Sequence, residues 1–295
     1  MANLVNSPDS IRFYKFFGVI PCDRTDTLKG IIETTYTIPT NDDRAAYADT
    51  TFQQCIDMQI DKIKAHPMQD RVLLWSGGID STLVFYALVE AGIEFSVCMS
   101  PTSVKEYPIL ADQIQKDVLR TDDRIFPTLI SYAFIKEMPD GFLDNKLIIT
   151  GEIGDQLTGS ILMLDYTDQQ RGMPYNEVLD TNAYYLFDDV IKTLVNADSL
   201  TLGEFLWGMN FIFKYQNVVD RIPNKSFFGS GSVAFHFFDS IPFQVWSMNN
   251  YKQNANFAKQ TDYKKVYKQY IYDANNDELY FKYKRKVGSL VQINS

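Results

Sequence analysis

From Ala48 onward the chain alternates between two hydrophobic periods. Ala48 to Ala65 places apolar residues three and four apart, which predicts an amphipathic helix. A short apolar run, Val72 to Trp75, then has the length and bounds of a buried strand, and Ser81 to Ala91 returns to the helical period. The alternation continues with a strand at Ile93–Met99, a helix at Ser103–Leu119 and a strand at Ile125–Ile130. It ends with a short helix at Tyr132–Glu137 and a strand at Leu147–Thr150. Strands of near-continuous apolar character separated by helices predict an α/β fold with a doubly wound parallel sheet. Beyond about Leu157 the strand pattern fades, and helical periods dominate at Glu177–Val195, Leu202–Tyr215, Phe238–Met248 and Ala255–Tyr272. The expected organisation is therefore a short segment over 1–47 and one domain over 48–295. That domain has an α/β core to about residue 160 and a mainly helical C-terminal half over 161–295. Within the first segment, Phe13–Ile20 and Ile31–Ile38 read as a β hairpin or as strands packed on the main domain.

In a parallel sheet, ligands collect at the carboxyl ends of the strands. Residues Arg71 to Ser81 read RVLLWSGGIDS, so a strand feeds a glycine turn that opens a helix. Such a turn presents successive backbone N–H groups and a helix N-terminus to an anion. Gly77 and Gly78 let the backbone approach closely, and the Ser76 and Ser81 hydroxyls add donors. No Walker pattern G-x-x-x-x-G-K-[ST] occurs, nor does G-x-G-x-x-G after a strand. A kinase-like transfer of the γ-phosphoryl group thus lacks its usual lysine loop.

The pattern S-G-G-x-D-S resembles that of the PP-loop, or N-type ATP pyrophosphatase, superfamily, whose members grip the β,γ-pyrophosphate of ATP and split the α–β bond. A second stretch, Gly151 to Ser160 (GEIGDQLTGS), follows the strand Leu147–Thr150. It is similar to the S-G-E-G-[AS]-D-E-L-F-G-G segment of asparagine synthetases and the related β-lactam synthetases. Gly151, Glu152, Asp155, Leu157 and Gly159 match; Ile153 stands at a family glycine, Gln156 at a glutamate and Thr158 at a phenylalanine. Looser similarities are Ala234–Asp239 to the family's R-V-P-F-L-D segment and Phe281–Lys286 to its late lysine-bearing K-x-x-L-R element. The resemblance implies an adenine nucleotide alpha hydrolase-like, HUP-type sheet, with ATP and Mg²⁺ as cofactors. It places ATP on Ser76, Gly77, Gly78, Asp80, Ser81 and Gly151, with adenine near Val97, Cys98 and Met99 at the end of the second strand. Asp80 and Asp155 match the metal carboxylates. Lys284, with Lys282 as the alternative, would neutralise pyrophosphate, and Glu152 would take the proton of an incoming nitrogen.

The implied reaction is adenylation of a small-molecule carboxylate, such as an amino acid, followed by transfer to ammonia or an amine. Glutamine-dependent family members begin with a cysteine after the initiator methionine, whereas Ala2 follows Met1 here. The expected nitrogen source is free ammonia, a substrate amine or a separate ammonia-supplying subunit. Two other readings stay open: a PP-loop enzyme modifying tRNA or a deazapurine base, and a non-catalytic nucleotide-binding protein. A net charge of −9 argues against nucleic acid as a partner, because phosphate repels an acidic chain. The basic stretch Lys264–Lys286 reads as a solvated helix face with its tyrosines turned inward. Cys22, Cys55 and Cys98 have no pairing or zinc-like spacing, which fits a reducing compartment. With no apolar run of membrane-spanning length and no secretory-type N-terminus, the expected location is the cytoplasm.

Overall fold

The structure, a computed structural model, describes residues 21–25, 27, 36–115, 130–134, 140–159, 161–179, 185–221 and 229–284. The expected strand Phe13–Ile20, and residues 31–35 and 125–129 of two others, lie outside these residues. In chain order the first elements are α1 (Asn41–Ala46), α2 (Phe52–Ala65), β1 (Arg71–Leu74), α3 (Ile79–Glu90), β2 (Phe95–Met99), α4 (Pro101–Glu106) and α5 (Pro108–Gln115). Then come β3 (Ile130–Phe134), β4 (Leu147–Thr150), α6 (Gly154–Thr158), α7 (Asp168–Gly172), α8 (Tyr175–Val178), α9 (Tyr185–Val195), α10 (Leu202–Gly208) and α11 (Tyr215–Arg221). The last are β5 (Val233–His236), α12 (Ile241–Asn249), α13 (Tyr251–Ala255), α14 (Lys265–Asn275) and α15 (Glu278–Tyr283).

These elements form two compact units. A sheet unit takes Thr51–Glu152, Pro223–Ser240 and Lys264–Ser295; a helical unit takes Met1–Thr50, Ile153–Ile222 and Ile241–Tyr263.

The sheet unit is α/β. Its five strands run in the order β3-β2-β1-β4-β5, and every neighbouring pair is parallel. β1 is central, and Leu74 pairs with both Cys98 of β2 and Thr150 of β4. Strand order reverses direction between β1 and β4, and that junction is where open parallel sheets bind ligands. Val72, Leu73, Leu147, Ile148 and Ile149 are fully buried, as their unbroken apolar runs demand. α2 starts at a capping box, Thr51 with Gln54, and buries the periodic face Phe52, Cys55, Ile56, Gln59, Ile60 and Ile63. α3 is covered on nearly every side, Ser81 through Val89 being buried without a gap.

Several expectations are corrected. The helix expected over Ser103–Leu119 is broken at Tyr107: Pro108 lacks a donor and disfavours helical geometry in the residue before it. Residues 132–134, expected to start a short helix, instead continue β3 in register with β2. The stretch expected to be mainly helical contains β5, which pairs with β4 from Leu147↔Val233 to Thr150↔His236.

In the helical unit, α10 passes through a π-helical stretch, Met209–Lys214, into α11. Two buried cations fasten its loops. Arg24 lies 3.7 Å over the Tyr215 ring and donates to Phe211 O (2.9 Å), Thr37 O (3.1 Å) and Gln244. Arg171 lies 4.0 Å over Phe257 and donates to Met163 O (3.1 Å), Tyr166 O (2.5 Å), Phe257 O (3.3 Å) and the Asp168 carboxylate. Among the described residues no helix is long and apolar enough to cross a membrane.

Candidate functional site

The first motif forms the turn from β1 into α3. Ser81 Oγ accepts from Ser76 N (3.1 Å) and lies 2.9 Å from Ser76 Oγ, which closes the turn on itself. Gly77 has φ 76°, a left-handed conformation that favours glycine. It also lies against the backbone of Ser103 and the stem of Glu106, so a side chain would have no room. Gly78 is the N-cap of α3 and supplies no side-chain cap, so the first N–H groups of a twelve-residue helix meet the loop without one.

The second motif leaves β4 directly beside it. A Cβ at Gly151 would lie 2.6 Å from Ser81 N and 2.9 Å from the Asp80 carbonyl carbon. The two strand-end loops therefore touch backbone to backbone, and only glycine allows it. Glu152 N donates to Thr150 Oγ1 (3.3 Å), which lies 2.8 Å from Nδ1 of the buried His236. β5 thus braces the loop that carries Glu152. His236 fell within the loosest of the sequence similarities, and its place beside Thr150 follows from the β4–β5 pairing.

Two lysines converge on this edge. The Lys264 side chain is completely buried, and its ammonium is ion-paired with Asp80 in the first turn of α3. Burial pushes that ammonium below the ordinary lysine value, while the negative charges of Asp80 and Glu152 oppose the shift. Lys284 donates to both the carbonyl (2.6 Å) and the carboxylate (2.8 Å) of Glu106. Burial lowers its pKa too, against the pull of Glu106. Lys282, the alternative to Lys284, is about half exposed and pairs with Glu278 on its own helix (2.6 Å). The expectation that Lys264–Lys286 is a solvated face is thus corrected: Lys264 and Lys268 are buried. Hydropathy alone hides this, because a lysine with an acidic partner is buried for reasons of charge.

Val97, Cys98 and Met99 are all buried, and β2 is paired on both sides. Asp155 belongs to the helical unit, in the first turn of α6. There its Oδ1 accepts from the Tyr263 hydroxyl (3.4 Å), and its carbonyl accepts from Asn210 Nδ2 (2.6 Å). Asn210 lies in the π-helical stretch and also accepts from Gln156 Nε2 (3.2 Å). Ile153 has φ 77°, although it is β-branched and buried. Such a residue is a genuine outlier in the left-handed region. No group of three or more His, Cys, Asp or Glu is placed to hold a metal among the described residues.

No protein-family model matches the chain, and neither does any curated protein.

Proposed function

We propose that the chain is an AMP-forming ligase of asparagine-synthetase type, joining a carboxylate to ammonia or an amine. The contact of Gly151 with the Asp80–Ser81 backbone carries this reading, because it sets both resemblance-bearing loops side by side at the strand-order reversal. The strand order supports a doubly wound, HUP-type sheet. Ile153 adds a second support: it keeps the left-handed backbone where the similar family has glycine.

In this reading a carboxylate oxygen attacks the α-phosphorus of ATP, and pyrophosphate leaves. Ser76 N and Gly78 N donate within the turn, so the Gly77 N–H and the Ser76–Ser81 hydroxyl pair are this reading's donors to the departing charge, and Lys264 and Lys284 balance it. An amine then attacks the acyl-adenylate, Glu152 takes its proton, and amide and AMP are formed. Asp80 is the sheet unit's candidate for Mg²⁺. When bound, Mg²⁺ would offset phosphate charge. Asp155 is assigned to the metal by the resemblance.

The test is carboxylate-dependent exchange of labelled pyrophosphate into ATP, with AMP readout, across a panel of amino acids supplied with ammonium. Gly77→Ala, which has no room for its Cβ, should lower exchange by about 10²- to 10³-fold by displacing the loop, and Asp80→Asn, which keeps an oxygen acceptor for the buried Lys264, should lower it in the same direction, with circular dichroism checking the fold of each. ADP and phosphate as the sole products would overturn the reading. ATP binding without exchange on any carboxylate favours the non-catalytic alternative.

A further inference from the structure

Glu106 closes α4, seven residues beyond the end of β2, and it touches two elements of the site. Its Cβ and Cγ would lie 2.8 and 3.2 Å from a Cβ at Gly77, so its stem is the surface on which the phosphate loop rests. Its carbonyl and carboxylate together hold the Lys284 ammonium, and both side chains are more than nine-tenths covered. Such a buried, charge-assisted pair has few alternatives to its one geometry.

The next residue anchors the other end of the same segment. The Tyr107 hydroxyl donates to Asp277 Oδ2 (2.8 Å) and accepts from Asn275 Nδ2 (3.3 Å), and its ring lies 4.5 Å from that of Tyr280. Asp277 is the N-cap of α15 and Lys284 is its C-cap. A helix of six residues is too short to hold itself. The Glu106–Tyr107 dipeptide therefore grips α15 at both ends, immediately beside Gly77.

We propose that Glu106 is a positioning residue that holds Lys284 at the phosphate loop, with Tyr107 fixing the far end of α15. The proposal deepens the ligase reading and rests on it for the task of Lys284. Neither residue reacts. Glu106 presents a pre-placed ammonium, and a nucleotide phosphate would draw on that ammonium.

The experiment uses the full chain and its Glu106→Gln, Glu106→Asp, Lys284→Met and Glu106→Gln/Lys284→Met variants, each checked by circular dichroism. Reductive methylation of each lysine amine is followed by peptide mass spectrometry. Loss of the charged partner should speed labelling of Lys284 about tenfold in Glu106→Gln, less in Glu106→Asp, and leave Lys282 unchanged. An unchanged Lys284 rate in either folded Glu106 variant overturns the proposal. Calorimetry with Mg²⁺ and α,β-methylene-ATP gives the second readout. Affinity should fall about tenfold in Glu106→Gln, and the double variant should bind no more weakly than Lys284→Met. Additive losses overturn the positioning role. Should the native chain fail to bind this nucleotide while labelling behaves as expected, the clamp stands and the ligase reading falls.

Discussion

Ile153 is a residue whose backbone and side chain disagree. Its backbone adopts φ 77°, which costs a β-branched residue about 1–2 kcal/mol. Its side chain is 1% exposed, and losing such a group costs about 2–5 kcal/mol. The two effects can be separated. Ile153→Ala forfeits the packing and keeps most of the strain; Ile153→Gly forfeits the packing and relieves the strain. Both variants should be less stable than the native chain. Glycine should nevertheless match or exceed alanine by about 1 kcal/mol, the reverse of the ordinary order between these residues. Urea midpoints decide the matter, and a glycine variant clearly weaker than the alanine variant would show that this backbone is unstrained.

At the scale of elements, the site depends on how closely two strand ends approach. β1 and β4 are neighbours, and the loops that follow them share one glycine-sized gap. The atoms facing Gly151 are backbone atoms of Asp80 and Ser81, which cannot swing aside as a side chain would. Gly151→Ala should therefore cost about 1–3 kcal/mol of stability through overpacking. If the proposed ligase activity holds, it should also lower pyrophosphate exchange more than Gly172→Ala, a change at a position with open space around it. Equal behaviour of the two variants would mean that the loops can separate freely. The same scale accounts for β5. Of its four residues at the sheet edge only His236 is buried, and Val233 is 42% exposed, so the apolar run that marks an inner strand is missing. Likewise, Tyr107 interrupts a continuous helical period that Pro108 makes impossible to follow.

For the molecule as a whole, the buried thiols set a pH dependence. Burial pushes Cys98 up to about 11 and Cys55 up to about 12, against a value near 9 without burial. A group whose folded pKa is raised contributes its full stabilisation below the unfolded pKa and loses it as pH rises toward the folded value. Between pH 9 and 10 each thiol should thus remove up to roughly 1 kcal/mol of stability. Urea midpoints at pH 8, 9 and 10 should fall, and Cys55→Ala/Cys98→Ala should flatten the decline, whatever its baseline. An unchanged slope in that variant would exclude the thiols as its origin.

Much of the sheet unit, and the two strand-end loops of the candidate site, are legible in the one-dimensional pattern. Apolar runs of strand length end at Ser76 and Gly151 because a buried parallel strand must stay apolar until its carboxyl edge. Glycine and serine there announce a turn meant for close backbone approach. The strand order was beyond the sequence, because pairing partners far apart in the chain leave no periodic trace. The same holds for the interleaving of the units, whose segments alternate along the chain. Lys264 and Glu106 escaped for a related reason. A charged side chain is buried only where partners for its charge wait, and for these two the partners lie 184 and 178 residues away. Local composition reports the cost of burying a charge; only the tertiary structure supplies the partner that offsets it.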